Sequence, residues 1–357
     1  MKPMNRTKKN ILWWGRFDPD YSRNKILRSL LLECGYTLQD FIPRSSFLGT
    51  VEAAFTRFDM PAAVWVPAFR QRDYSSAKRF ADRHSLPLVF DPLISAWDKV
   101  VFERNKCSEN SSRAQRLLAW ERSLFAGADL VIADTKPHAR FFIDKLAAHR
   151  DRTCVIPVGA EESLFKQQLQ TAAPADHLPE ILFYGSFIEL QAPSVIVEAA
   201  RQVTGARWTL LGNGPLRHLC EQKSRGCEHI FYEDWHPYQE LPERIGRADL
   251  LLGVFGSSAK AARVIPNKVY QALACGRPLV TRESPAYPPQ LGRNMENGIA
   301  FIPPADPGAL AASVLSLLAR PEDMQTCGQR AYETYTNWFS RAHIKQALLQ
   351  AMAVIGL

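Results

Sequence analysis

The sequence predicts an α/β protein made of two doubly wound parallel sheets, and three observations lead there. Short apolar segments alternate with amphipathic helical stretches from end to end, the pattern of parallel strands covered by helices on both faces. The alternation runs twice, on either side of a polar stretch from Glu161 to Pro179 that lacks periodicity and reads as a linker. A length of 357 residues suits two ordinary domains, each able to bury its own core. No fixed-period repeat is visible, which argues against a solenoid.

In the first half, Ile11–Trp14 is too short for a signal-peptide core, although the preceding residues are basic, and reads as the first strand. It runs into Gly15-Arg16-Phe17-Asp18 and then an amphipathic helix over Lys25–Cys34. Strands are expected at Thr37–Phe41, Ala63–Val66 and Leu88–Phe90. Asp91 stands at the carboxyl end of that last strand, and the following Pro92 holds it extended. A helix over Arg113–Phe125 leads to a strand at Leu130–Ala133. Asp134 and Thr135 are suited to cap the next helix, which continues through His138–Ala147. A strand at Cys154–Ile156 follows, and Gly159 reads as a hinge into the linker.

The second half repeats the scheme. Ile181–Tyr184 leads into Gly185 and Ser186, then a helix over Pro193–Val203. A glycine at a strand exit lets a ligand approach the backbone, although a plain turn would look the same. Trp208–Leu211 leads into Gly212-Asn213-Gly214-Pro215, with the proline at a helix start. Strands at His229–Tyr232, Leu250–Val254, Leu279–Thr281 and Gly298–Ile302 complete the series, with a helix at Pro307–Leu318 and a tail helix over Ser340–Ile355. The expected division is 1–165, a linker at 166–179, a second domain at 180–337, and a C-terminal helix at 338–357.

Hydrophobic residues make up 46% and charged residues 22%, values of a soluble globular chain. The seven cysteines show no metal-type pairing, and no H-E-x-x-H or D-x-D motif occurs, so no metal and no cofactor are expected. No run approaches the roughly 18 apolar residues of a membrane helix. A cytoplasmic location is expected. The net charge of +8 is spread along the chain and not clustered among aromatics, which speaks against nucleic acid. It suits anionic substrates and allows peripheral contact with an anionic inner-membrane surface.

The most informative segment runs from Ala262 to Thr281. Arg263 lies in a loop, Pro266 and Asn267 start a helix, Lys268 falls in its first turn, Gly276 closes it, and Pro278 opens a strand. A helix N-terminus with two nearby cations is suited to a phosphate or diphosphate. The same segment resembles the donor-binding run of the family 4 glycosyltransferases, "P-x-K-x-x-E-A-x-A-x-G-x-P-V", through Pro266, Lys268, Ala272, Ala274, Gly276, Pro278 and Val280, with Gln271 in place of the family's Glu.

This resemblance implies the GT-B fold, with two Rossmann-like domains facing across a cleft and a C-terminal helix returning to the first. It implies a transferase for glycan or polysaccharide biosynthesis, retaining and metal-independent, that moves a sugar from a nucleotide-diphosphate sugar to a glycan, lipid-linked or small acceptor. Gly185, Ser186, Gly212, Gly214, Arg263, Asn267, Lys268 and Gln271 would hold the donor. Trp235 would either stack on its base or pack in the core. Gly15, Arg16 and Asp98 would lie on the acceptor side, with Asp91 as the catalytic candidate. Two alternatives stay open: a catalytically silent nucleotide-binding or transferase-partner protein, suggested by Gln271 and Gln290, and a sugar-nucleotide epimerase.

Overall fold

The computed structural model describes residues 9–104, 106–168, 178–292 and 295–357. The segment 169–177, within the expected linker, lies outside the described residues. The chain forms two compact units, one running up to Pro157 and including Ile344–Leu357, the other spanning Val158–His343.

The first unit contains β1 (Asn10–Trp14), α1 (Ser22–Glu33), β2 (Thr37–Phe41), α2 (Gly49–Ala54), β3 (Pro61–Val66), α3 (Tyr74–Arg83), β4 (Leu88–Phe90), the single turn α4 (Ala96–Asp98), α5 (Ser112–Gly127), β5 (Leu130–Ala133), α6 (Lys136–Leu146) and β6 (Thr153–Val155). The second contains β7 (Glu180–Tyr184), α7 (Pro193–Ala200), β8 (Arg207–Leu211), α8 (Arg217–Lys223), β9 (Ile230–Glu233), α9 (Leu241–Arg247), β10 (Leu250–Leu252), α10 (Asn267–Ala274), β11 (Leu279–Arg282), β12 (Ile299–Ile302), α11 (Pro307–Leu318) and α12 (Pro321–Trp338). α13 (Arg341–Val354) follows.

All ladders are parallel. The first sheet has the order β2-β1-β3-β4-β5-β6. Successive residues of a strand point to opposite faces, and here both faces are apolar. Leu12, Trp14, Val64, Val66 and Phe90 pack with residues of α3, α5 and α6. Ile11, Trp13, Trp65, Val89 and Ile132 pack with α1 and with Ile344, Leu348, Ala351 and Met352 of α13. The C-terminal helix therefore returns to the first unit. Its three large buried side chains contribute about 1.5–3 kcal/mol each. Trp13 and Trp65, neighbours across β1 and β3, stack with centroids 5.0 Å apart.

The second sheet has the order β12-β11-β10-β7-β8-β9, the two-halved arrangement of a dinucleotide-binding sheet. Chain order reverses between β7 and β10, and in open parallel sheets a ligand crevice opens beyond the strand ends at such a point.

Candidate functional site

The loops after β7, β8 and β10 and the start of α10 meet at this reversal point in the second unit. Backbone bonds tie the loops together: Gly185 N–H donates to Leu211 O at 2.9 Å, Gly212 N–H to Glu233 O at 2.9 Å, and Phe187 N–H to Asn213 O at 3.0 Å. Gly185, Gly212 and Gly214 all have positive φ. A Cβ at Gly185 would lie 2.7 Å from Lys268 Nζ, and one at Gly214 would lie 2.7 Å from Phe187 N. At Gly212 it would strike the Gly185 carbonyl and come within 3.2 Å of the Trp235 ring. Glycine is thus required at all three places by both conformation and space.

α10 starts after Pro266, whose backbone is extended, and no side chain caps it. It ends in a Schellman motif, with Gly276 at φ 68°, Gly276 N–H donating to Leu273 O and Arg277 N–H to Ala272 O. Both ends are therefore set by the Pro and Gly that frame the segment in sequence. The helix is short, and its face carries Lys268 and Gln271 inward.

Lys268 is 5% exposed. Its Nζ donates to Gln191 Oε1 at 2.6 Å and stands 3.7 Å from the centre of the Phe183 ring. Burial alone pushes this ammonium well below the ordinary lysine range. Gln191 is fixed in turn: its N–H donates to Ile188 O and its carbonyl accepts from Phe255 N–H of the loop after β10. The Tyr184 hydroxyl lies 3.1 Å from Lys268 O and 3.0 Å from Gln271 Oε1, its one proton serving one acceptor at a time. The site therefore pairs a buried cation with a neutral amide and an aromatic face. A negative group entering beside Gly185 would find this cation without a carboxylate to displace.

Other expected donor residues surround this core. Asn267 is the first residue of α10 and half-buried, as is Ser186. Arg263 stands in the turn before α10, half-buried, its N–H on Lys260 O, and Ser284 Oγ donates to Ala262 O at 2.7 Å to pin that turn. Trp235 is not a core residue: it is 52% exposed and its ring lies beside Gly212. Gln290 is exposed. Sequence spacing gave no sign of the Lys268–Gln191 bond, which joins residues 77 apart.

In the first unit, Gly15 has φ 136° and Arg16 N–H donates to Asp73 Oδ2 at 3.3 Å, leaving the Arg16 side chain exposed. Asp91 has no exposed surface. Arg23 Nε lies 2.9 Å from both of its oxygens and Arg23 Nη2 2.9 Å from Oδ1, while Arg23 Nη1 donates to Ile156 O at 3.2 Å. Burial pushes the Asp91 carboxyl upward, with Arg23 pulling against it. Asp98 is also fully buried, in the turn that Ser95 caps. Glu121 accepts from Ser95 Oγ and from the N–H groups of Ala96 and Trp97, fixing the same turn. The sequence did not single out Arg23 or Glu121; the only hint is that Arg23 sits three residues before the apolar Ile26. Among the described residues, no three His, Cys, Asp or Glu side chains gather in a way that could hold a metal ion.

Residues 178–320 match the glycosyl transferases group 1 family. The match runs from β7 through α11 of the second unit. Among curated proteins, the D-inositol 3-phosphate glycosyltransferase of Geodermatophilus obscurus is 26% identical over 280 residues, covering 72% of this chain and 59% of that protein. The corresponding protein of Nocardia farcinica is 33% identical over 128 residues, 34% of this chain and 28% of that protein. The chain thus spans less than two thirds of the length of these relatives.

Solved structures place both units in one known fold. Anabaena Alr3699/HepE in complex with UDP has a TM-score of 0.71 at 16% identity, over 97% of this chain and 99% of that one. Sucrose-phosphate synthase from Thermosynechococcus elongatus has a TM-score of 0.71 at 17% identity, over 97% and 98%. Both likenesses concern the fold, which is the GT-B fold with its two Rossmann-like domains.

Proposed function

We propose that this protein transfers a sugar from a nucleotide-diphosphate sugar, with a UDP-sugar the first donor to test, to a hydroxyl of a glycan, lipid-linked or small acceptor. The observation that carries this reading is Lys268: a buried cation beside a Cβ-free gap, in the first turn of α10, neutralised by no carboxylate among its contacts. A diphosphate would exchange the Gln191 amide for charge-assisted bonds, and the helix start adds favourable potential. Departure of the nucleotide diphosphate builds negative charge at this place, which a preorganised cation stabilises. Exposed Trp235 beside Gly212 offers a face for the base, and Gln271 offers a neutral amide to the donor ribose.

Support also comes from likeness. The Anabaena protein is described with UDP, with UDP and glucose, and with UDP-glucose, and the curated relatives are named glycosyltransferases. Retention, independence from metal and cofactor, and a cytoplasmic setting belong to the same proposal. Arg16 would meet the acceptor. Asp91 would act through Arg23 as a positioning group. Calorimetric titration with UDP, uridine and UDP-sugars, followed by product analysis with candidate acceptors in the presence of a chelator, tests the reading. Absence of any preference for UDP over uridine would defeat it; UDP binding without transfer to any acceptor would favour the silent alternative.

A further inference from the structure

The first unit carries a second feature that the donor site does not use. α2 is a single-turn-and-a-half helix that packs inward through its smallest residues. A Cβ at Gly49 would lie 2.8 Å from Ser76 Oγ of α3, Thr50 Oγ1 donates to Ser76 O at 3.2 Å, and Ala53 is buried. Its one large apolar residue, Val51, is exposed, and so are most of those in the segments flanking it. Phe47 is 82% exposed, Phe55 88% and Met60 82%, with Ile42, Leu48 and Val51 each more than half exposed. Large apolar side chains of a folded domain are ordinarily buried, and along this segment they are turned outward. Six large apolar side chains within residues 42–60 form a continuous stretch of sequence whose exposure needs a partner.

Cations outnumber carboxylates around it, the exposed acids being Asp59 and Asp82, the latter paired with Lys78. Arg44 and Arg57 are exposed within the segment, and Arg79 and Arg83 are exposed one turn apart on α3, against which α2 packs. Of the segment's two carboxylates, Glu52 is occupied by the backbone N–H of Arg44 at 2.9 Å. Apolar side chains projecting beside arginines, on a chain of net charge +8, are complementary to one surface above others: an apolar layer beneath a sheet of negative headgroups. We infer that residues 42–60, with α3 behind them, dock the protein on an anionic lipid bilayer, Phe47 and Phe55 entering the interface and Arg44, Arg57, Arg79 and Arg83 meeting the headgroups. No helix among the described residues is long and apolar enough to cross a membrane, so the contact is made from one side.

The test is co-sedimentation of the whole protein with phosphatidylcholine vesicles, with and without phosphatidylglycerol. Wild type should pellet with the anionic vesicles, and high salt should weaken this. The double variant Phe47→Ser/Phe55→Ser should lose at least about tenfold in partitioning, since each phenyl group that leaves the interface removes a sizeable apolar area. Both side chains are almost free of the fold, so the thermal midpoint should stay unchanged. Arg79→Glu/Arg83→Glu should lose the preference for anionic over neutral vesicles. UDP binding by all variants should match wild type, which separates this inference from the donor reading. Failure of wild type to pellet would overturn it. So would equal partitioning of the serine variant, or self-association abolished by the serines without any vesicle binding, which would assign the patch to a second copy of the chain.

Discussion

Lys268 Nζ and Gln191 Oε1 lie 2.6 Å apart, so this buried cation of the second unit is satisfied by an amide and not by a carboxylate. A donor phosphate can replace that amide. Lys268→Ala should weaken UDP binding by about 1.5–3 kcal/mol per charged hydrogen bond lost, with a smaller effect on uridine. Arg263→Ala should show the same selectivity if Arg263 also faces the diphosphate. Gln191→Glu should weaken UDP at least about tenfold, because the new carboxylate would hold Lys268 and repel the phosphates. Calorimetry of UDP against uridine reads all three; equal losses for both ligands would remove these side chains from the phosphate site.

The protonation of Lys268 gives a pH prediction. Burial lowers its folded-state pKa, so between that value and the ordinary lysine pKa the unfolded chain binds more protons than the folded one. Stability contributed by this group therefore rises with pH across that window and is penalised below it. A bound diphosphate raises the pKa again. UDP affinity should fall as pH climbs through the depressed free-protein value, and binding there should take up a proton. Titration in buffers of different ionisation enthalpy measures that uptake, which Lys268→Met should abolish.

Gly185 tolerates no side chain. An alanine there must adopt φ near 154° and place its Cβ 2.7 Å from Lys268 Nζ. Gly185→Ala should reduce UDP binding by at least about tenfold, at a stability cost of about 1–2 kcal/mol for the backbone. Unchanged affinity would show that no ligand comes close to this backbone.

Gln271 shares the Tyr184 hydroxyl with Lys268 O. Tyr184 can donate to a carboxylate as well as to an amide, so Gln271→Glu should fold normally. If Gln271 meets donor ribose hydroxyls, the variant should raise UDP affinity. An affinity unchanged for every nucleotide tested would place it outside the site.

The Arg23–Asp91 pair should behave as a closed buried ion pair. Asp91→Ala leaves Arg23 charged and unpaired in the core and should cost about 3–5 kcal/mol, read by denaturant unfolding. Arg23→Met/Asp91→Leu should recover most of that loss. A single variant as stable as wild type would mean that water or another group compensates the guanidinium.

Most strands were legible because they are short apolar runs followed by Gly, Pro or Asp, although Thr37–Phe41 is mixed and Leu279–Arg282 runs on into Glu283. All twelve fall on the segments read from sequence, with end shifts such as Ile230–Glu233 for His229–Tyr232. α10 was legible for the same reason, since Pro266 and Gly276 bracket it. Less was legible in the site. The fold makes Gln191 the acceptor of Lys268 across 77 residues, a pairing that no local pattern encodes. Arg23 fell among the polar residues read as loop, yet α1 begins at Ser22 and turns Arg23 inward. Trp235 was open between core and surface because an aromatic after a strand fits both, and only the packing around Gly212 decides.

α13 covers the Ile11, Trp13 and Trp65 face of the first sheet, yet it follows the entire second unit in the sequence. During synthesis the first sheet must wait, with one tryptophan-rich face incompletely covered, until roughly two hundred further residues have been made. The unit begun first is therefore the one completed later. Ribosome-stalled chains ending before Arg341 should engage a holdase chaperone through that face, and release from it should coincide with the emergence of Ile344–Met352.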